Sequence, residues 1–275
     1  MTQFKRGLGI AGHSWRTLRS HRSLAAFPIL GGAMALVVVA PPALAGAYLA
    51  DRGDTVLGAL LGAVAIYLVC FVSAFVGVGL AAAADAALRG EDASFGQGLR
   101  VATSRLGAIS GWALITALLS IVLRALETRS ELATIAGALV GGAWSVVSLL
   151  AIPAIALEDA GPIEAIKRSG SLFKQHWGGR VTGMAAIGFG VFVFVMLPAI
   201  ALVAIGVVIL SGGGSAGIGG GAALLFAAGV LISGALRQIF AVALYRFTTT
   251  GEVVGGFEAA DLEHAVRVRG RPAVA

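Results

Sequence analysis

Arg237 and Gln238 lie about ten residues from one end of an apolar stretch, 222–247, and are the residues placed most unusually for chemistry. An ionisable side chain inside a segment long enough to cross a bilayer is costly, and by default marks a polar interior or a substrate path. No acid lies at similar depth in any other apolar stretch. Asp85, at the end of the second stretch, is the nearest plausible partner. The plainer reading, which the sequence favours, buries the Arg237 stem and lets its guanidinium snorkel to headgroups.

Other residue types that could do chemistry are not arranged for it. His13, His21, His176 and His264 are scattered, and none pairs with a carboxylate at ligand spacing. His13-Ser14 lacks a third partner for nucleophilic catalysis. The single cysteine, Cys70, sits in an apolar run, where it acts as a small hydrophobe rather than a metal ligand. Glu158-Asp159 is a carboxylate pair at a helix junction, where capping explains it. Gly212-Gly213-Gly214-Ser215 lacks the Lys and the preceding strand of a phosphate loop, and reads as a hairpin connection. The expectation is therefore no catalytic, cofactor-binding or metal-binding residue set, no cofactor, and not an enzyme.

The elements that must carry these residues follow from hydropathy. Mean hydropathy is +0.92 and only 12% of residues are charged, about half the share of roughly 25% in soluble domains. So apolar a chain cannot cover its own core, whereas lipid can solvate the excess. A span needs about 20 apolar residues. Six stretches qualify, at about 24–49, 56–84, 106–126, 132–157, 181–210 and 222–247. They are too long for barrel strands, so helices are expected. The fold class is all-α, a polytopic transmembrane bundle of six helices in one domain, 1–275. Pro41-Pro42 is expected to kink or end the first helix.

Connections alternate between short (50–55, 127–131, 211–221) and longer (85–105, 158–180), which predicts three hairpins. Sixteen of the 20 basic residues fall on the side of the longer connections, and Arg52, Arg124 and Arg129 on the other. The positive-inside rule then places both termini in the cytoplasm of a multi-pass cell-membrane protein. The net charge of +6 is topogenic on this reading, and nucleic acid is not an expected partner.

A repeat runs through the basic side. Phe4, Leu8, Ala11, Trp15 and Leu18 form one helical stripe, Phe95, Leu99, Ala102 and Leu106 a second, and Pro162, Ile166, Ser169 and Phe173 a third. The sequence thus predicts amphipathic helices at about 4–19, 94–105 and 162–177, each before a hairpin. Their apolar faces can lie in the interface or pack beneath the bundle. Lys5, Arg6, Arg16, Arg100, Arg105, Lys167, Arg168 and Lys174, with Trp15 and Trp177, are the expected membrane-interface residues. The expected partners are membrane lipids, including anionic headgroups on the cytoplasmic side, and the chain itself or another membrane protein.

The run Ile152-Pro153-Ala154-Ile155-Ala156-Leu157-Glu158, then Ile163-Glu164-Ala165-Ile166-Lys167-Arg168-Ser169 and Trp177-Gly178, carries a resemblance. It resembles a broad group of uncharacterised prokaryotic six-helix membrane proteins. It is also similar to the membrane domain attached to some glycerophosphodiester phosphodiesterases. Their chemistry belongs to a separate soluble domain, so the resemblance implies no catalytic residue here. The function expected is a membrane scaffold, assembly or bilayer-associated factor. The alternative is a transporter or channel for a lipid or small apolar molecule.

Overall fold

A computed structural model describes residues 14, 17–19, 22–127, 131–177 and 216–255. Every regular element among them is helical. In order they are α1 (Arg22–Met34), a π-helical turn (Ala35–Val39), α2 (Ala40–Asp51), α3 (Thr55–Leu88), α4 (Phe95–Ser104), α5 (Leu106–Glu127), α6 (Glu131–Glu158), α7 (Pro162–Trp177) and α8 (Ala216–Thr250). The expected helix at 4–19 lies outside the described residues but for Ser14 and 17–19. The span at 181–210 and the Gly212–Ser215 loop lie wholly outside them.

Three helical stretches are long and apolar enough to cross a membrane: Ser23–Asp51, Thr55–Leu88 and Leu106–Ala125. Large apolar side chains stand exposed on all three, among them Leu36, Leu44, Val56, Leu60, Leu114 and Val122. Two further long helices, α6 with 28 residues and α8 with 35, complete the described bundle.

Pro41-Pro42 does not end the first helix. The chain stays helical to Asp51 because the backbone widens just before the pair. Proline removes an N–H and crowds the carbonyl four residues back. The π turn over Ala35–Val39 absorbs this strain, and the Ala40 N–H donates to the Ala35 carbonyl, five residues back.

α3 is the central helix, with α1, α2, α4, α5, α6 and α8 against it. Its first half keeps large exposed side chains, whereas Ala83–Leu88 are all buried. The run Ala81-Ala82-Ala83-Ala84-Asp85-Ala86-Ala87 explains the difference. Small side chains let several helices close on α3 at this end, as small residues do in membrane bundles. At the other end Asp54 caps α3, accepting from the Leu57 N–H at 3.1 Å.

The two short helices pack against the bundle. α4 buries Gly98 and Ala102 one turn apart, with Phe95, Leu99 and Val101 partly buried on the core. Gly98 lies so close to α3 that a Cβ there would strike the Gly79 carbonyl oxygen and come within 2.6 Å of Phe27. Phe27 in turn packs on Phe95, ring centroids 4.8 Å apart and planes tilted by 52°, and the Ser23 hydroxyl donates to the Ala93 carbonyl at 2.6 Å. α7 buries Ala165, Ser169 and Leu172. Its Ser169 hydroxyl donates to the Val147 carbonyl of α6 at 2.8 Å. The buried Ala102 and Ser169 hold equivalent places in the two stripes read from the sequence, and the buried Gly98 and Ala165 each lie four residues before them.

Candidate functional site

α3, α6 and α8 finish at one end of the bundle, and charged side chains collect there. Asp85, its side chain only 5% exposed, accepts two bonds from Arg246 of α8: Nε to Oδ1 at 2.6 Å and Nη2 to Oδ2 at 2.7 Å. Such forked, charge-assisted pairs are both strong and directional. Arg89, one turn along α3, adds a third bond to Asp85 at 3.2 Å and also meets Glu91 at 2.5 Å. Beyond α8 the chain turns back, and the Gly255 N–H donates to the Leu88 carbonyl at 3.1 Å. Gly255 has φ +69°, and a Cβ there would strike the Leu88 side chain, so the turn requires glycine.

A second set of pairs joins α6, α7 and the start of α5. Arg168 of α7 forks onto Glu158, Nε to Oε2 at 3.0 Å and Nη2 to Oε1 at 2.9 Å. Asp159, at φ 58°, pairs with Arg105. Glu164 reaches back to the Gly161 N–H at 3.2 Å and caps α7. Burial works to raise the pKa of Glu158, but the Arg168 bond and charge outweigh it and hold the carboxyl below its ordinary value. The Tyr245 hydroxyl is buried close enough to act on both groups, yet falls outside hydrogen-bonding geometry. A shallow, open depression of about 460 Å³ lies over this pair, lined by Glu158, Ala160, Glu164, Lys167, Arg168 and Ser171.

Arg237 is not joined to Asp85. Its Nη2 donates to the carbonyl and hydroxyl oxygens of Ser145 in α6, at 3.1 and 3.2 Å. The reason is position: Asp85 lies level with Arg246, nine residues further along α8, or about 13 Å. Arg237 is half-buried between helices. Gln238, beside it, faces α3 near Gly77.

Among the expected interface residues, Arg100, Lys167 and Lys174 are exposed, whereas Arg105 and Arg168 are partly buried in ion pairs. Lys5, Arg6, Trp15 and Arg16 lie outside the described residues, as does the side chain of Trp177. Sequence reasoning counted Arg246 only as a tail charge and missed Ser145. The available signal for Arg246 was an acid at the end of one apolar run and a base at the end of another. Nothing in the sequence singles out Ser145.

The described residues contain no cluster of three or more His, Cys, Asp or Glu side chains able to hold a metal ion. The hydroxyls of Thr116, Ser120, Ser148 and Thr248 donate to carbonyls in their own helices, the local bonding that Ser and Thr adopt inside helices.

Comparison with curated proteins and with solved structures returns no match. Residues 57–256 match a family of unknown function, DUF6159, and give no link to the phosphodiesterase membrane domains. That stretch runs from the start of α3 past the Gly255 turn, so it contains both ion-paired junctions, and on this match over most of its length the chain belongs to the DUF6159 family.

Proposed function

We propose that this chain is a six-span integral membrane protein of three hairpins, both termini cytoplasmic, that works as a membrane scaffold or assembly factor and not as an enzyme. The observation that carries the reading is how charge is used at the junction end. Asp85, Arg246, Glu158, Arg168, Arg105 and Asp159 are bonded to one another and tie helix ends together. Charges arranged this way hold a shape; they do not converge on a reacting atom. Arg100, Lys167 and Lys174 stay exposed on the outer faces of α4 and α7, where they suit anionic headgroups or an acidic partner.

The alternative, a transporter or channel for a lipid or small apolar molecule, is favoured by Arg237 seated on Ser145 between helices. Topology is tested in a Cys70→Ala background. Asp51→Cys and Thr128→Cys are expected to react with a membrane-impermeant maleimide on intact cells. Asp92→Cys and Glu252→Cys should react only after permeabilisation, and the opposite pattern refutes the orientation. Vesicles of phosphatidylcholine containing the protein separate the two functions. The scaffold reading expects no faster movement of a labelled lipid between leaflets, and acceleration abolished by Arg237→Ala would replace it with transport.

A further inference from the structure

The charges at the junction end answer one another, but the polar groups midway along α6 and α8 do not. Arg237 lies 13 residues before the end of α8, roughly 20 Å along the axis. Among the described residues its partners are the two oxygens of Ser145, both reached through Nη2. The neighbouring Gln238 has its Nε2 buried without a hydrogen-bond partner. The Trp144 Nε1, beside Ser145, is likewise buried and unpartnered, while its ring stacks on Trp112 at 5.2 Å. Both unanswered atoms are donors, and each belongs to the residue next in sequence to one member of the Arg237–Ser145 pair.

The chain has no acid to offer at this level. Its 14 carboxylates all fall outside the six apolar stretches: two between the first and second, Asp85 to Asp92 at the next junction, and the remainder in later connections and the tail. Asp85 is the nearest along α3, and Arg246 occupies it. A second copy in the same orientation would carry its acids at the same levels, so self-association does not supply one. A guanidinium keeps its charge inside a protein, and an uncompensated charge in an apolar interior is strongly unfavourable.

We propose that Arg237, with Gln238 and Trp144, forms an intramembrane site for an anion bearing acceptor oxygens, the phosphate or carboxylate of an acidic lipid or of a free small anion. The site deepens the membrane reading above and rests on α6 and α8 crossing the bilayer. Arg237 supplies charge and forked donors, Ser145 holds the guanidinium in place, and the indole and amide N–H groups complete the donor set.

The test uses full-length protein extracted from phosphatidylcholine–phosphatidylglycerol vesicles and examined by native mass spectrometry. Wild type is expected to keep one phosphatidylglycerol under activation that strips phosphatidylcholine. Arg237→Gln should lower that retention about tenfold or more, whereas Lys167→Gln, at the exposed face of α7, should not. In a second arm, protein in phosphatidylcholine nanodiscs is titrated with inorganic phosphate and its melting temperature followed. A rise in wild type that is absent in Arg237→Gln assigns the site to a free anion instead of a lipid. If neither arm separates wild type from Arg237→Gln, the proposal is wrong. Should that variant fail to fold, Trp144→Phe and Gln238→Leu carry the test, and wild-type behaviour of both in both arms overturns it. Failure here leaves the maleimide topology result untouched, so the two readings fail separately.

Discussion

Removing Arg246 should damage this protein far more than removing Arg89, although both arginines bind the same carboxylate. Arg246 contributes two bonds of 2.6 and 2.7 Å to an Asp85 side chain that is 5% exposed. Arg246→Met leaves that buried carboxylate with one bond of 3.2 Å, from an Arg89 that is 39% exposed and shared with Glu91. Stripping one partner from a buried ion pair costs about 3–5 kcal/mol. Arg89→Met removes one longer bond from a 39%-exposed arginine and leaves the Arg246 fork on Asp85 in place, so it should cost about 1 kcal/mol or less. Asp85→Asn should fall at the lower end of the larger range, since Arg246 is 24% exposed and can turn to water. The assay is equilibrium unfolding in mixed micelles, followed by circular dichroism, on both single variants and the Asp85→Asn/Arg246→Met double. The double should cost clearly less than the sum of the singles. The reasoning fails if Arg246→Met costs no more than Arg89→Met, or if the singles add to within about 0.5 kcal/mol.

Two further outcomes follow from the same contacts. Gly98→Ala should cost about 1–3 kcal/mol in the same unfolding assay, because its new methyl meets the fixed Gly79 carbonyl and Phe27, whereas Gly96→Ala, with only the Ser94 hydroxyl nearby, should be close to neutral. Glu158 gives a pH signature: its folded pKa is depressed, so its contribution is present above the unfolded value of about 4.3 and is lost as pH falls through the folded value. The pair is 35–41% exposed, so the effect stays below about 1 kcal/mol, and Glu158→Gln should flatten that part of a stability-versus-pH profile recorded through the acid range.

How much of this was legible in the sequence differs from residue to residue. The apolar stretches at 24–49, 56–84 and 106–126 announce their helices because hydropathy summed over a span does not depend on neighbours. Asp85 and Arg237 stood out for the same reason, as charges where charge is costly. Their partners did not. Whether a side chain finds a mate depends on helix rotation and axial level, and apolar runs carry almost no signal for either. The Pro41-Pro42 pair shows the limit locally. Proline's missing N–H is evident from the residue type, but the widened turn at Ala35–Val39 that accommodates it is a choice of the backbone.

The stripes at 94–105 and 162–177 show the same division. Periodicity implied a helix with one apolar side, but left open whether that side met lipid or protein. The tertiary structure turns Gly98 and Ala102 onto α3, and Ala165 and Ser169 beneath α6, because only small side chains let these helices approach so closely. By itself, then, the sequence determined that this is a helical chain with membrane-length apolar runs and basic connections, since those are sums over composition. Only the tertiary structure decided that Asp85 belongs to Arg246 and Arg237 to Ser145, since hydrogen bonds and ion pairs are settled over a few ångströms.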